Sequence, residues 1–278
     1  MARKIRRAYH AEPVSSLALW ARRVAIFAAV AALVSTIVVR FGFLDVKPAV
    51  ATLFGALAFA AIAIVIGVAG LASIWQNGTR GLGHIVLALL ISLGVVAYPG
   101  YLGWQYRRLP AIHDITTDPI DPPRFEALAR LRTGADTNSA VYAGLYSAEQ
   151  QRAAYPEIEA AELDVPVQRA YEIVAGLVAR RKWLVIDERP PIPPRRVGRI
   201  EAVARTLVMG FREDISIRIT AAGDGSRVDV RSSSRYFEHD LGSNAARIAK
   251  LIDDINAAAE SASAVKKAAP AKAPAKKK

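Results

Sequence analysis

Hydrophobic positions fall into two regimes that meet near Arg108. Before it come three long runs almost free of charge, at residues 24–39, 50–74 and 82–102, the last with His84 near its start. A helix needs about 20 apolar residues to cross ~30 Å of hydrocarbon. The second and third runs are long enough. The first is lengthened by residues 17–20 and 41–44, with flanking arginines snorkelling to headgroup level. The pattern predicts an N-terminal arm and three-span anchor over residues 1–108, with spans at about 22–44, 50–75 and 82–104. Trp20 and Trp75 mark one interface, and Tyr98, Tyr101, Trp104 and Tyr106 the other. Small residues four apart in the second span, Ala56 and Ala60, or Ala63 and Gly67, suit close helix approach.

After Arg108 the periods shorten. Prolines at 110, 119, 122 and 123 disfavour helix and predict an extended linker over residues 109–158, with short helices near 126–132 and 147–155. Residues 159–262 then predict an α+β domain. A strand at 160–164 precedes a helix at 167–181, with Val167, Tyr171, Val174 and Val178 on one face. Strands follow at 183–187, 199–206 and 214–220, the last turning Ile215, Ile217 and Ile219 to the core. A hairpin loop at 221–226 leads to the strand from Arg227. Its Val228, Val230, Ser232 and Ser234 point one way, and Arg227, Asp229, Arg231, Ser233 and Arg235 the other. A final amphipathic helix carries Ile248, Leu251, Ile252 and Ile255. Such an order packs as an antiparallel sheet with helices covering one face. The lysine, alanine and proline tail, residues 263–278, is expected to be disordered.

Charge changes the picture only once it is divided. The formal net charge is +12, but residues 1–108 hold 11 Lys and Arg against 2 Asp and Glu. Residues 109–264 hold 20 against 23, and the tail adds six lysines. The folded domain is therefore slightly acidic, which excludes reading the chain as a nucleic-acid binder. Absence of cysteine excludes disulfide scaffolds, cysteine metal sites and thiol nucleophiles. Seven basic residues flank the N-terminal side of the anchor and four the other, so the positive-inside rule predicts a cytoplasmic N-terminus. Three crossings then place the α+β domain in the periplasm of a bacterial inner-membrane protein.

The candidate chemistry is polar and arginine-rich. Arg212, Asp214, Ser216 and Arg218 are expected to pair across the hairpin with Asp229, Arg231 and Arg235. That face is either a ladder of solvated ion pairs or an anion-recognition surface, since guanidinium forks bind carboxylate and phosphate bidentately. Ser233, His239 and Asp240 adjoin it, and Asp240 or Ser243 is placed to cap the last helix. A linker cluster of His113, Asp114, Thr117 and Asp118, with Asp121, admits an oxygen-and-imidazole metal site. Aspartates capping turns explain the same spacing, and no metal or cofactor is assigned. A hydrolase would need a serine from 232–234 with His239 and Asp240, yet no nucleophile-elbow motif is present.

Four segments, HDITTDPIDPPRF, FREDISIRI, SRVDVRSSSR and HDLGSNAARI, resemble in order those of the bacterial family termed domain of unknown function 1499. The resemblance runs over roughly residues 109–256, and the preceding anchor resembles one architecture of that family. In the family, the counterpart of residues 235–242 has a glycine-containing basic turn. Tyr236, Phe237 and Glu238 stand there in this chain. The resemblance implies architecture and no reaction. The expected function is binding of an anionic lipid, cell-wall ligand or partner protein by a membrane-integral protein, with an envelope hydrolase and a structural assembly subunit as alternatives.

Overall fold

A computed structural model describes residues 12–43, 45–134, 136–193 and 196–268. The chain divides into two compact units, residues 1–104 and 105–278. The first holds α1 (Ser16–Arg40), α2 (Val46–Asn77) and all but the last turn of α3 (Leu82–Arg108). All three are long and apolar enough to span a membrane. They begin or end a few residues outside the expected limits, because flanking apolar and basic residues continue the helical turns. Ser15 caps α1, and Gly78 closes α2 in a left-handed conformation. Small side chains line the interior of this unit: Ala18, Ala21, Ala25 and Ala28 on α1, Ala56, Ala60 and Ala63 on α2, and Ala88 and Ser92 on α3. Their spacing brings helix backbones close, where dispersion contacts replace the missing hydrophobic drive.

The second unit is built on a six-stranded antiparallel sheet. Its strands are β1 (Asp114–Thr116), β2 (Ala161–Leu163), β3 (Leu184–Arg189), β4 (Val197–Arg205), β5 (Arg212–Ala222) and β6 (Gly225–Ser234). The order is β1-β6-β5-β4-β3, and β2 pairs with the other half of β6. Alternation sends Ile215, Ile217, Ile219, Val228 and Val230 to one face. There they pack with Val174, Leu177 and Val178 of α5 (Val167–Arg180) and with Ile248, Leu251 and Ile255 of α6 (Ser243–Ala268). Both long helices thus cover one face, as the strand and helix periods predict.

The segment 109–158 departs from its expected role as a linker. It supplies β1, which pairs Asp114 with Ser233 and Thr116 with Arg231. It also supplies a 3₁₀ turn (Leu128–Leu131) and α4 (Leu145–Ala154). The strap lies over the polar face of the sheet, where Phe125 and Leu128 pack on Val203. Its own exposed backbone is satisfied in an unusual way. The buried Gln151 side chain accepts from Thr116 N at 3.0 Å and donates to Thr116 O at 2.7 Å, imitating a neighbouring strand on the outer edge of β1. The carboxylate of buried Glu201 likewise accepts from Glu126 N at 2.8 Å and Leu128 N at 2.9 Å, holding the start of the 3₁₀ turn.

Helix α6 continues to Ala268, past the residue at which disorder was expected, because the alanines from Ala257 onward favour helix. The rest of the tail, residues 269–278, lies outside the described residues, as do Pro194 and Arg195 of the proline-rich loop.

A Cβ on Gly225 would stand 2.2 Å from the carbonyl oxygen of Leu163. Gly225→Ala is therefore expected to push β2 off β6 and destabilise by about 1–3 kcal/mol. Gly176→Ala, in open space within α5, should instead gain up to about 1 kcal/mol. Thermal unfolding of the detergent-solubilised protein checks both signs.

Candidate functional site

Alternation on β5 and β6 brings Asp214, Arg218, Asp229, Arg231 and Ser233 to the face beneath the strap. In register, Asp214 opposes Ser233, Ser216 opposes Arg231, and Arg218 opposes Asp229. Arg231 is the centre of this layer. It forms a bidentate pair with Asp114, at 2.9 Å from Nε to Oδ1 and 2.6 Å from Nη2 to Oδ2. Its remaining donors reach the carbonyls of Pro123 at 3.2 Å and Ala140 at 3.0 Å. The guanidinium also lies 4.4 Å from the ring centre of Phe125 and 5.5 Å from that of Tyr142. Side-chain exposure is 2% for Arg231 and 1% for Asp114. Burial of Tyr142 pushes its hydroxyl up to about 12.

Two further clusters extend the layer. Asp214 receives Arg235 Nε at 2.8 Å and Arg132 Nε at 2.8 Å. Arg218 contacts Asp229 at 3.0 Å, Asp118 at 3.2 Å and Asp121 at 2.6 Å, and Arg227 contacts Asp229 at 3.1 Å and Glu162 at 2.9 Å. Thr117 Oγ1 accepts from Val230 N at 2.9 Å. Nearly every guanidinium expected to meet a ligand thus has carboxylates or carbonyls of the same chain on its donors; the ladder is dry around Arg231, Arg235 and Asp214 and partly exposed at Arg218 and Arg227. Arg212 differs. It is exposed at the end of β5, its carbonyl accepts from Arg235 N at 3.3 Å, and its side chain makes no ion pair among the described residues. The hydroxyl of Ser233 is buried without a hydrogen-bond partner among the described residues.

The linker cluster is spent in the same way. Asp118 Oδ1 accepts from Ile120 N and Asp121 N, capping its own turn. The carbonyl of His113 receives Ser234 N at 2.9 Å and Asn244 Nδ2 at 3.0 Å. Burial holds the His113 imidazole below its ordinary range, against the opposing charge of Asp114. Among the described residues no three His, Asp or Glu side chains converge as metal ligands.

At the start of α6, Asp240 is the capping residue, accepting from Gly242 N at 3.0 Å and Asn244 N at 2.9 Å. Burial raises its carboxyl above the usual range. His239 accepts from Leu241 N at Nδ1, 3.0 Å, which leaves Nε2 as the donor to the carbonyl of Leu109, 3.1 Å away. Ser232 Oγ bonds Asn244 Oδ1 at 2.7 Å, and Ser234 Oγ bonds Glu213 Oε1 at 3.2 Å. The structure therefore brings His239 and Asp240 to the helix start without pairing either with a serine hydroxyl.

Apart from His113 and the Leu109 carbonyl, these groups lie within residues 114–255, which match the family described as protein of unknown function (DUF1499). The chain belongs to this family. The extent of the match has structural meaning. It opens at Asp114, the acid beneath Arg231, and closes at Ile255, the last of the isoleucines that α6 sends to the core. The DUF1499 domain therefore includes strap and sheet together. No curated protein and no solved structure matches the chain.

Sequence reasoning missed a second cationic feature, on the helical side. A groove of about 1070 Å³ runs between α5 and α6, with Trp183 at one end. Arg169, Arg180, Arg181, Arg247 and Lys250 line it against one acid, Asp254. Arg181 is paired with Asp254 and Arg247 with Glu213, whereas Arg180 and Lys250 make no ion pair among the described residues. Ala257, Ala258, Ser261 and Ala262 leave its wall low. The clue was available in the basic residues at 169, 180, 181, 247 and 250, but only the packing of α5 beside α6 unites them.

Two outcomes follow from the polar layer. Asp114→Ala, which strands a buried guanidinium, is expected to cost about 3–5 kcal/mol in denaturant unfolding. For His113, folding lowers the pKa below the unfolded value of about 6.5. Its contribution is complete above that value and is lost as pH falls through the folded pKa. The melting temperature should drop between pH 7.5 and pH 5.5, roughly the window of this titration, and His113→Gln should shrink the drop.

Proposed function

We propose that the protein is a binding module of the bacterial inner membrane, with its DUF1499 domain in the periplasm, and that it recognises an anionic ligand in the groove between α5 and α6. Three long apolar helices support membrane association, and the excess of basic residues on the N-terminal side of the anchor supports this orientation. The observation that carries the binding assignment is the groove's charge, five cations to one acid in a domain that is slightly acidic overall. Guanidinium and ammonium groups with spare donors attract phosphate and carboxylate. On the strand face the corresponding donors already hold Asp114, Asp118, Asp214 and Asp229. Binding is favoured over hydrolysis because His239 spends both ring nitrogens on backbone groups.

Calorimetric titration of the solubilised protein with pyrophosphate and with glycerol phosphate tests the groove. Saturable binding is expected, weakened at least about tenfold by Arg180→Glu with Lys250→Glu, the loss of two charge-assisted contacts. Binding that survives this double reversal would move the site elsewhere. A C-terminal alkaline phosphatase fusion should be active if the domain is periplasmic, and an inactive fusion would reverse the orientation.

A further inference from the structure

The turn between β4 and β5 has the wrong composition for a solvated loop. Turns are rich in glycine, asparagine, aspartate, serine and proline, but this one reads Thr206-Leu-Val-Met-Gly-Phe211. Leu207 is 84% exposed. The turn is nevertheless well formed. Thr206 N donates to Phe211 O at 2.9 Å, Gly210 N to Thr206 O at 3.2 Å, and Phe211 N to Thr206 Oγ1 at 2.9 Å. Phe211 meets Phe237 edge to face, ring centres 5.6 Å apart. Phe237 is 43% exposed and holds a left-handed backbone, φ 67°, a conformation that side-chain-bearing residues seldom adopt. An ordered apolar tip is thus presented rather than tucked away.

Two arginines stand at its base. Arg205 closes β4 and Arg212 opens β5, and the two are partners in register. Arg212 is exposed and its side chain makes no ion pair among the described residues, so an anionic surface beside the tip would meet an uncompensated cation. The chain reaches the sheet at this same end. Asp114, the first residue of β1, pairs with Ser233, Ser234 pairs with Glu213, and Arg235 N donates to the carbonyl of Arg212. Only residues 109–113 lie between the end of α3 and β1, a tether that spans at most about 17 Å. The end of the sheet that carries the tip is therefore the end at which the chain arrives from α3.

We propose that the β4–β5 tip, with Leu207 and Phe237 leading and Arg205 and Arg212 behind, docks into the interfacial layer of an anionic bilayer. Apolar and aromatic side chains enter the acyl boundary, and guanidinium groups stay with the lipid phosphates. The inference is independent of the α5–α6 groove and holds on either side of the membrane. It also gives Arg212 a role that the buried strand arginines do not share.

A chain without cysteine suits single-site labelling. The full-length protein carrying Leu207→Cys, labelled with an environment-sensitive fluorophore, is reconstituted into vesicles of phosphatidylcholine with phosphatidylglycerol. The reference is the same label at Asp224→Cys, in the β5–β6 hairpin at the far end of the sheet. Blue-shifted emission at 207, quenched several-fold more by nitroxide-bearing lipid than at 224, is expected. Adding Arg205→Glu and Arg212→Glu should cut that quenching. Water-like emission at both sites would overturn the proposal, as would a blue shift at 207 that responds to protein density and not to lipid quencher, the mark of a second copy. Quenching unchanged by the arginine reversals would overturn the assignment of the headgroup contacts.

Discussion

The buried pair between Arg231 and Asp114 is the constraint on which the domain's construction depends. Taking a guanidinium and a carboxylate out of water is costly, and the cost is offset only where geometry is good and every remaining donor is satisfied. Here the fork is bidentate, two carbonyls take the other donors, and an aromatic ring lies against the cation's plane. Each of these partners except the arginine itself comes from the strap. The strap therefore cannot leave the sheet without stranding a charge, and β6 cannot keep that charge buried without the strap.

This arrangement gives the sheet two dissimilar faces. On one, isoleucine and valine pack against α5 and α6 through contacts that depend on volume and tolerate small slips. On the other, aspartate and arginine interlock through contacts that depend on angle and do not. Register is strongly specified as a result, since a one-residue shift of β6 would send Arg231 and Asp229 into the isoleucine layer. The polar layer is a poor source of net stability and a good source of uniqueness, and it leaves little surface there for a ligand. Spare cationic capacity lies elsewhere, in Arg180 and Lys250 of the α5–α6 groove and in Arg212 beside the β4–β5 turn.

Much of this was visible in the residue pattern. Three runs without Asp, Glu, Lys or Arg sufficed for the three long apolar helices, and alternation at Ile215, Ile217 and Ile219, then at Val228 and Val230, sufficed for the hairpin and its core face. A cap for α6 at Asp240 or Ser243 followed from position, and Asp240 is the one that accepts the helix amides. What the pattern did not carry was the whereabouts of the strap. Aspartates and prolines directly after α3 have the composition of a connector, and an outward row of Arg and Asp has that of a wet face. Each looks solvent-exposed alone, and only their pairing, over 117 residues of sequence for Asp114 and Arg231, makes both interior. The groove was hidden for a similar reason, because its cations come from two helices separated in sequence by strands β3 to β6.

The outer edge of β6 is closed by β1 over one half and by β2 over the other, end to end. A fragment trimmed to the regular α+β alternation, starting near residue 159, would keep β2 and lose β1. Half of a central strand would become a bare edge, open to pairing with a neighbouring chain, with unbalanced guanidinium groups beside it. A portion of this molecule that keeps the whole sheet therefore has to begin before Asp114, directly after α3.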